Sequence, residues 1–370
     1  MIRSEEVKFK VLRNNADYAW IYPKEKTKPS LRNRAGGEIK LSLQGSFIPI
    51  AFDSRGREVP FDFLTDEIQP VLTIDGLKSN LGVLSFAKVE DDDSEKGHYV
   101  SVEAYDRCWR LRETKTEDIL HLSSGTPYLT HVEQLLTDCG ITNIVKTPSA
   151  ETLEEDREDW DVGTSYLTII NDLLKEINYK QVWFDASGSA VLQPKSKVTG
   201  DNVQHVLSNR KLNIRDKRAI SVVSIQRDLK KSTDIYNAAN VFICSCANPD
   251  KSGVWIAKAE NTNPQSPISI PRRGRRIVDH EKVSNIASLA ELKKYTEQKR
   301  DKSMITNEVI TVTTLLQPGF GTEDVIGLQL GEPGTSDMLD CVCLETSWDM
   351  ELGVGGLMTH ELERTVYNID

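Results

Sequence analysis

The chain is poor in the features that assign a sequence most directly. Six cysteines in 370 residues are too few for a disulfide scaffold, because such scaffolds belong to short, cysteine-dense secreted domains. The opening MIRSEEVKFK holds no apolar signal region. No uninterrupted apolar run approaches the ~20 residues of a spanning helix, so no membrane insertion by the chain itself is expected. Synthesis in a reducing cytoplasm follows. Basic charge is short too, with 46 Lys and Arg against 56 Asp and Glu, a formal net charge of -10. Proteins that wrap nucleic acid neutralise phosphates with Lys and Arg, so that class is disfavoured.

Catalytic motifs are missing as well. There is no G-x-S-x-G elbow and no P-loop. Gly319-Phe320-Gly321 lacks the strand-turn-helix setting of a phosphate loop and reads as a turn. His98, His121, His131, His205, His280 and His360 are scattered, and His360-Glu361 lacks the second histidine of a zinc protease. Catalytic carboxylates are recognised by their separation in space, and nothing in the acidic segment Glu151 to Asp161 marks a pair. No enzyme activity and no cofactor are expected.

The most informative stretch is Trp160 to Pro194. Leu167, Ile170, Leu173, Leu174 and Ile177 recur at helical spacing, so Ser165 to Ile177 reads as an amphipathic helix. Asn178 suits its left-handed end. The period then drops to two across Val182, Trp183 and Phe184. Asp185 to Gly188 supplies a turn, and Ala190 to Leu192 returns as a strand. This is a packing unit without obvious chemistry.

Before it, residues 1–118 read as mostly strand, with runs at Val7–Leu12, Glu38–Leu43, Phe47–Phe52, Val71–Ile74, Val83–Val89 and Tyr99–Tyr105. Lys24 to Gly37 is basic and turn-rich, as an exposed loop would be. Asp91 to Glu95 reads as a solvated hairpin tip, since it lacks the spacing and glycine of a calcium loop. Thr126-Pro127 resembles an N-cap followed by proline at the first helical position. Tyr128, Leu129, Val132, Leu135 and Leu136 then form a buried stripe ending at Gly140.

Beyond residue 204 strands resume at Arg218–Leu229, Val241–Cys246 and Val254–Ala259, with a turn at Asn248–Asp250. Prolines 264, 267 and 271 interrupt the segment before Arg276. Ser288-x-x-Glu291 is a capping box opening a helix from Leu289 to about Lys302, with Leu292 and Tyr295 inward. Strands at Val309–Leu315, Val325–Leu330, Leu339–Ser347 and Gly356–Val366 follow. The fold class expected is α+β, predominantly β, with two strand-rich blocks flanking a helical module. No strict repeat of 20 to 50 residues is present.

Two patterns are metal candidates. Cys244-x-Cys246 and Cys341-x-Cys343 each place two thiols on one strand face. Structural zinc sites usually use C-x₂₋₄-C at a turn, so small apolar packing in a barrel interior is the simpler reading. Arg272, Arg273, Arg275 and Arg276 form a basic run without interleaved aromatics for base stacking. An exposed loop making contacts between subunits suits it better, and Lys24 to Gly37 is a second contact candidate.

Several spaced patterns together carry a resemblance. They are Gly163-Thr-Ser-Tyr-Leu167, Asn171-Asp-Leu-Leu174, Asn178-Tyr179 and Trp183-Phe-Asp185 with Gly188. Pro70 to Gly76, Leu81 to Leu84, Val102 to Asp106, Thr262-Asn-Pro264 and Gly274-Arg-Arg276 extend it, so it covers about Glu67 to the C-terminus. In these the chain resembles the baseplate-hub and tail-hub proteins of bacteriophages and tailocins. The resemblance implies two small tube-protein-like β-barrel domains with α+β insertions. Residues 1–118 would form the first barrel and 119–203 the α+β module. Residues 204–240 and 305–370 would form the second barrel, with 241–304 an inserted strand/helix module. It further implies a homotrimer presenting six barrels to a sixfold tail tube or distal tail protein, with the central spike or tip on the other face. Tape-measure protein, and DNA in a phage, would pass as cargo through the channel. The chain would be made in the bacterial cytoplasm and end in the tail or baseplate of the particle. The alternatives are a tail-tip cell-wall hydrolase and a carbohydrate-binding adhesin.

Overall fold

The computed structural model describes residues 3–94, 97–153, 155–157, 160–195, 197–210, 221–233, 238–247, 254–283, 289–303, 306–331 and 338–367. The first block contains β1 (Glu5–Arg13), β2 (Ala16–Ile21), β3 (Ser30–Arg34), β4 (Leu41–Phe47), β5 (Ala51–Phe52) and β6 (Glu58–Val59). It continues through β7 (Glu67–Ile74), β8 (Leu77–Asn80), β9 (Leu84–Ser94) and β10 (Gly97–Tyr105). Neighbours in the order β4-β10-β9-β7-β1-β2 are hydrogen-bonded. The two ends of that row meet just past β2 and β4. Lys24 N–H donates to Ser46 O at 2.8 Å and Ile48 N–H to Tyr22 O at 2.9 Å, on either side of a Pro23–Phe47 bridge. The sheet therefore curls into a barrel, which removes most of its open edges. Phe9 and Phe47, both fully buried, meet edge to face at 5.0 Å inside it.

Three expectations for this block need correction. Ser30–Arg34, placed in the exposed loop, is strand β3, paired with β4. Its buried Leu31 and Asn33 alternate with exposed Arg32 and Arg34, so half of the strand looks like loop in sequence. Phe47–Phe52 is not one strand, because β4 stops at Phe47 and a separate two-residue strand follows. The acidic run is mostly strand: Asp91 to Ser94 continue β9, opposite Val100 to Gly97, and Glu95 lies outside the described residues.

The α+β module follows α1 (Cys108–Glu113), which the sequence reading missed. It contains α2 (Tyr128–Asp138), β11 (Ile144–Lys146), α3 (Tyr166–Glu176), β12 (Trp183–Phe184) and β13 (Ala190–Leu192). Ser165 caps α3 by accepting from Thr168 N–H at 3.2 Å, and Asn178 closes the helix end with φ 58°. The Asp185 carboxylate accepts the N–H groups of Ser187 and Ser189, both at 2.9 Å, and fixes the turn. Leu129, Val132, Leu135 and Leu136 of α2 share one buried cluster with Leu167, Ile170, Leu173 and Leu174 of α3. The expected α2 start shifts by one residue. Pro127 occupies the cap position, and the Thr126 carbonyl instead accepts from Leu153 N–H.

The remaining elements are β14 (His205–Ser208), β15 (Ser221–Thr233), β16 (Val241–Ala247), β17 (Val254–Glu260), α4 (Ile270–Arg273) and β18 (Val278–Lys282). Then come α5 (Leu289–Ser303), β19 (Thr306–Leu315), β20 (Val325–Leu330), β21 (Leu339–Glu351) and β22 (Leu357–Tyr367). The order β20-β14-β15-β19-β22-β21 returns to β20, a closed six-stranded barrel. The chain is predominantly β, in the α+β class. β21 pairs with β20 over Leu339–Leu344 and with β3 over Ser347–Glu351, and β3 pairs in turn with β4 of the first barrel.

By backbone proximity the chain forms two compact units. The first is Met1–Asp228 with Val312–Glu361, and the second is Leu229–Thr311 with Leu362–Asp370. The second unit holds a separate sheet, β17-β16-β18, against which α5 packs. Leu292 and Thr296 of α5 are buried, whereas Tyr295 is 38% exposed and donates its hydroxyl to Glu281 at 2.9 Å. The inward reading of Tyr295 is therefore wrong. A polar ring can satisfy itself on a carboxylate at the surface. Ser288 of the capping box, the Asn248–Asp250 turn and the first residues of the Arg218–Leu229 strand lie outside the described residues.

Candidate functional site

Among the described residues, neither cysteine pair has further ligands grouped around it. Cys244 and Cys246 are buried on β16, where they pack with Ala257 and Leu292. They face a helix across an open sheet, not a barrel interior as the sequence reading had it. Cys341 and Cys343 lie on β21 of the closed barrel with sulfurs 3.7 Å apart. Two thiols make half of a tetrahedral site. No group of three or more His, Cys, Asp or Glu positioned for a metal occurs among the described residues.

The arginine run also differs from expectation. Arg272 and Arg273 belong to the short helix α4, which Ser269 caps and Gly274 ends at φ 63°. Arg273 donates to Ala238 O at 2.8 Å, and Arg276 pairs with Glu260, which Lys258 also contacts. Arg272, Arg275 and Arg276 are exposed. The run is thus partly built into the unit and partly displayed. The second unit carries 15 Lys and Arg against 11 Asp and Glu, whereas the first carries 31 against 45. The chain's negative charge is concentrated in the first unit, and the second is net positive.

The first unit hides the arrangement most like a catalytic one. The Glu345 carboxyl lies 2.5 Å from His360 Nδ1, and His360 Nε2 lies 3.0 Å from Thr314 Oγ1. All three are buried, on β21, β22 and β19. Burial pushes the Glu345 carboxyl well above the usual range, with Asp324 adding to it, and pushes His360 down to about 3. Burial thus favours the uncharged form of both groups. A protonated Glu345 donates to Nδ1, the Nε2–H donates to Thr314, and the Thr314 hydroxyl donates to Leu315 O at 2.9 Å. In this arrangement every donor is committed to a partner within the barrel. The relay is packing, closed off by Phe320, whose ring lies 4.8 Å from His360 and stacks on His205 at 4.1 Å. Sequence reading saw His360 alone, because Glu345 and Thr314 stand 15 and 46 residues away. Its only trace is the inward alternation of Cys341, Cys343 and Glu345 along one strand.

A second polar cluster ties the first barrel to the α+β module. The Arg107 guanidinium lies against the Glu67 carboxylate at 2.7 Å and donates to Gly188 O at 2.9 Å. The Lys40 ammonium is spent on Ala35 O, Gly37 O and Gln181 Oε1. Asp106 accepts the N–H groups of Lys40, Leu41 and Cys108, yet complete burial still pushes it up to about 6. Close by is a cavity of about 200 Å³ whose lining includes Lys40, Trp183, Asp185, Phe320 and Trp348. Its charged groups are held by protein partners, which suits a joint between modules better than a reaction chamber. Buried ionic groups need such complete satisfaction to be tolerated. The six tryptophans are all buried or half-buried.

No family model matches the sequence, and no curated protein matches it. Solved structures do match the fold. A tail protein from Neisseria meningitidis superposes with TM-score 0.61 at 12% identity, covering 97% of this chain and 96% of that one. The fold is that of a phage tail protein. A 43 kDa tail protein of prophage MuSo2 from Shewanella oneidensis gives 0.60 at 12% identity, covering 96% and 98%. A chain of the Francisella PdpA–VgrG complex gives 0.56 at 8% identity, covering 99% of this chain and 60% of that one. The phage-tail fold thus runs through both barrels, the α+β module and the second unit.

Proposed function

We propose that the chain is a structural hub subunit of a phage tail or tail-like particle. In this reading three copies form a ring, each contributing two barrels, so that six barrels meet a sixfold tail tube or distal tail protein. The central spike or tip sits on the opposite, threefold face. Tape-measure protein, and DNA where the particle is a phage, pass through without being bound. The chain is made in the bacterial cytoplasm and becomes part of the tail or baseplate of the particle.

The observation that carries the proposal is the pair of barrels joined through the β21-β3-β4 ladder within one chain of phage-tail fold. Two similar barrels per subunit convert threefold into pseudo-sixfold symmetry, and closed rings are the usual form of such assemblies. The surplus of carboxylates in the first unit supports a channel wall that repels phosphates. The polar clusters described above support a non-enzymatic role, since their donors are consumed internally. The test is the mass of the purified chain, alone and mixed with its tube and spike neighbours. A trimer in either condition is expected, and a monomer in both would overturn the proposal.

A further inference from the structure

The separate sheet of the second unit has one covered face and one open face. Cys244, Cys246, Ala257 and Ala259 are buried on the covered side, with Leu292 of α5 packed on Cys244, Cys246 and Ala257. Alternation places Val254, Ile256 and Lys258 of β17 on the other side. Register sets Ile243 beside Lys258 and His280, and Ser245 beside Ile256 and Lys282, with Val278 at the end of β18. Val254, Ile256 and Val278 are 60%, 62% and 55% exposed. Apolar side chains displayed together with a polar rim mark contact surfaces. The rim here is basic: Lys258 and Lys282 flank the apolar positions, and Glu260 on the same face is already neutralised by Lys258 and Arg276.

The charge distribution indicates what covers this face. It belongs to the net-positive unit of a chain whose other unit carries 45 Asp and Glu against 31 Lys and Arg. We infer that the open face of β17-β16-β18 docks on the acidic first unit of a second copy of this chain. A contact between two different surfaces of identical chains is head-to-tail, and it closes into a ring when the rotation permits. The inference rests on the proposed trimer and assigns the surface that builds it. Apolar positions at the centre supply burial, and the basic rim selects the orientation.

The test measures the mass of the full chain across protein concentration, in the condition in which the wild type is trimeric. Ile256→Asp, and separately the double variant Lys258→Glu with Lys282→Glu, should raise the concentration for half-assembly about tenfold or more. A control pair with the same charge change, Lys293→Glu with Lys294→Glu on α5, should leave it unchanged. Circular dichroism and melting of each variant separate loss of assembly from loss of folding. Trimers that survive both face variants would overturn the inference while leaving the hub reading intact. So would a face that proves to bind a tail protein instead of a second copy. A wild-type chain that never forms a trimer, even with its tube and spike neighbours, would remove the hub reading itself.

Discussion

The two barrels solve the same problem with different interiors. The first fills its centre with Phe9 against Phe47 and stays apolar. The second runs a Glu345–His360–Thr314 relay among its buried residues and closes it with Phe320. Aromatic packing draws on area and shape, so it is indifferent to pH. A neutral relay draws on protonation states that water would change, so its stability depends on pH from both sides. Shared architecture therefore does not imply shared sensitivity.

The largest expected effect lies on the apolar side of that contrast. Phe47→Ala should lower stability by about 3–5 kcal/mol, read from urea unfolding, and by the same amount at pH 5 and pH 8. A loss that changed with pH would break the distinction between the barrels. Next is Arg107→Met, which leaves the buried Glu67 carboxylate with Arg110 and the Ser85 hydroxyl, each at 3.4 Å. A loss of about 3 kcal/mol is expected. Because Arg107 also holds Gly188 O, residues 119–203 should become more sensitive to protease than the barrels. Uniform sensitivity would mean that Arg107 is no tie between them.

The relay gives the pH test. Glu345 is raised by burial in the folded chain, so its contribution is full below the ordinary carboxyl range and is lost as pH rises. His360 is depressed to about 3, so its contribution is full above ~6.5 and is lost as pH falls. Glu345→Gln keeps a donor for Nδ1 and removes only the first dependence. The variant should gain stability over wild type from pH 4 to pH 8, by less than either loss above. A constant difference across that range would show that Glu345 is not neutral in the fold.

What was legible in the sequence follows from how local the information is. Helix α3 announces itself through Leu167, Ile170, Leu173 and Leu174 because period, cap and terminator all lie within fourteen residues. Most barrel strands were visible by alternation. β3 was hidden because its outward residues are arginines and one inward residue is Asn33, which bonds the Thr322 hydroxyl at 3.2 Å. Tyr295 was misplaced because an aromatic at helical spacing says nothing of a carboxylate on a neighbouring strand. The relay, the Arg107–Glu67 pair and the Lys40 cage were invisible. Each depends on a partner far off in the chain: Glu345 and Thr314 for His360, Glu67 for Arg107 and Gln181 for Lys40. The thiol pairs stood out for the converse reason: spacing on a strand is local, while a third and fourth ligand, found for neither pair among the described residues, would not be.

The smallest effect sharpens the comparison by testing the module beside the barrels. The Ser165 hydroxyl accepts the Thr168 N–H at 3.2 Å and lies 2.8 Å from the Thr168 hydroxyl. It supplies one of the four acceptors that the first turn of α3 lacks. Ser165→Ala should therefore cost about 1 kcal/mol, and Ser165→Asp should restore most of it through the same geometry and the helix dipole. The loss should appear in urea unfolding without a pH dependence like that of Glu345→Gln. If Ser165→Asp fails to recover what Ser165→Ala loses, α3 is held by its apolar face on α2 alone, and its cap is incidental.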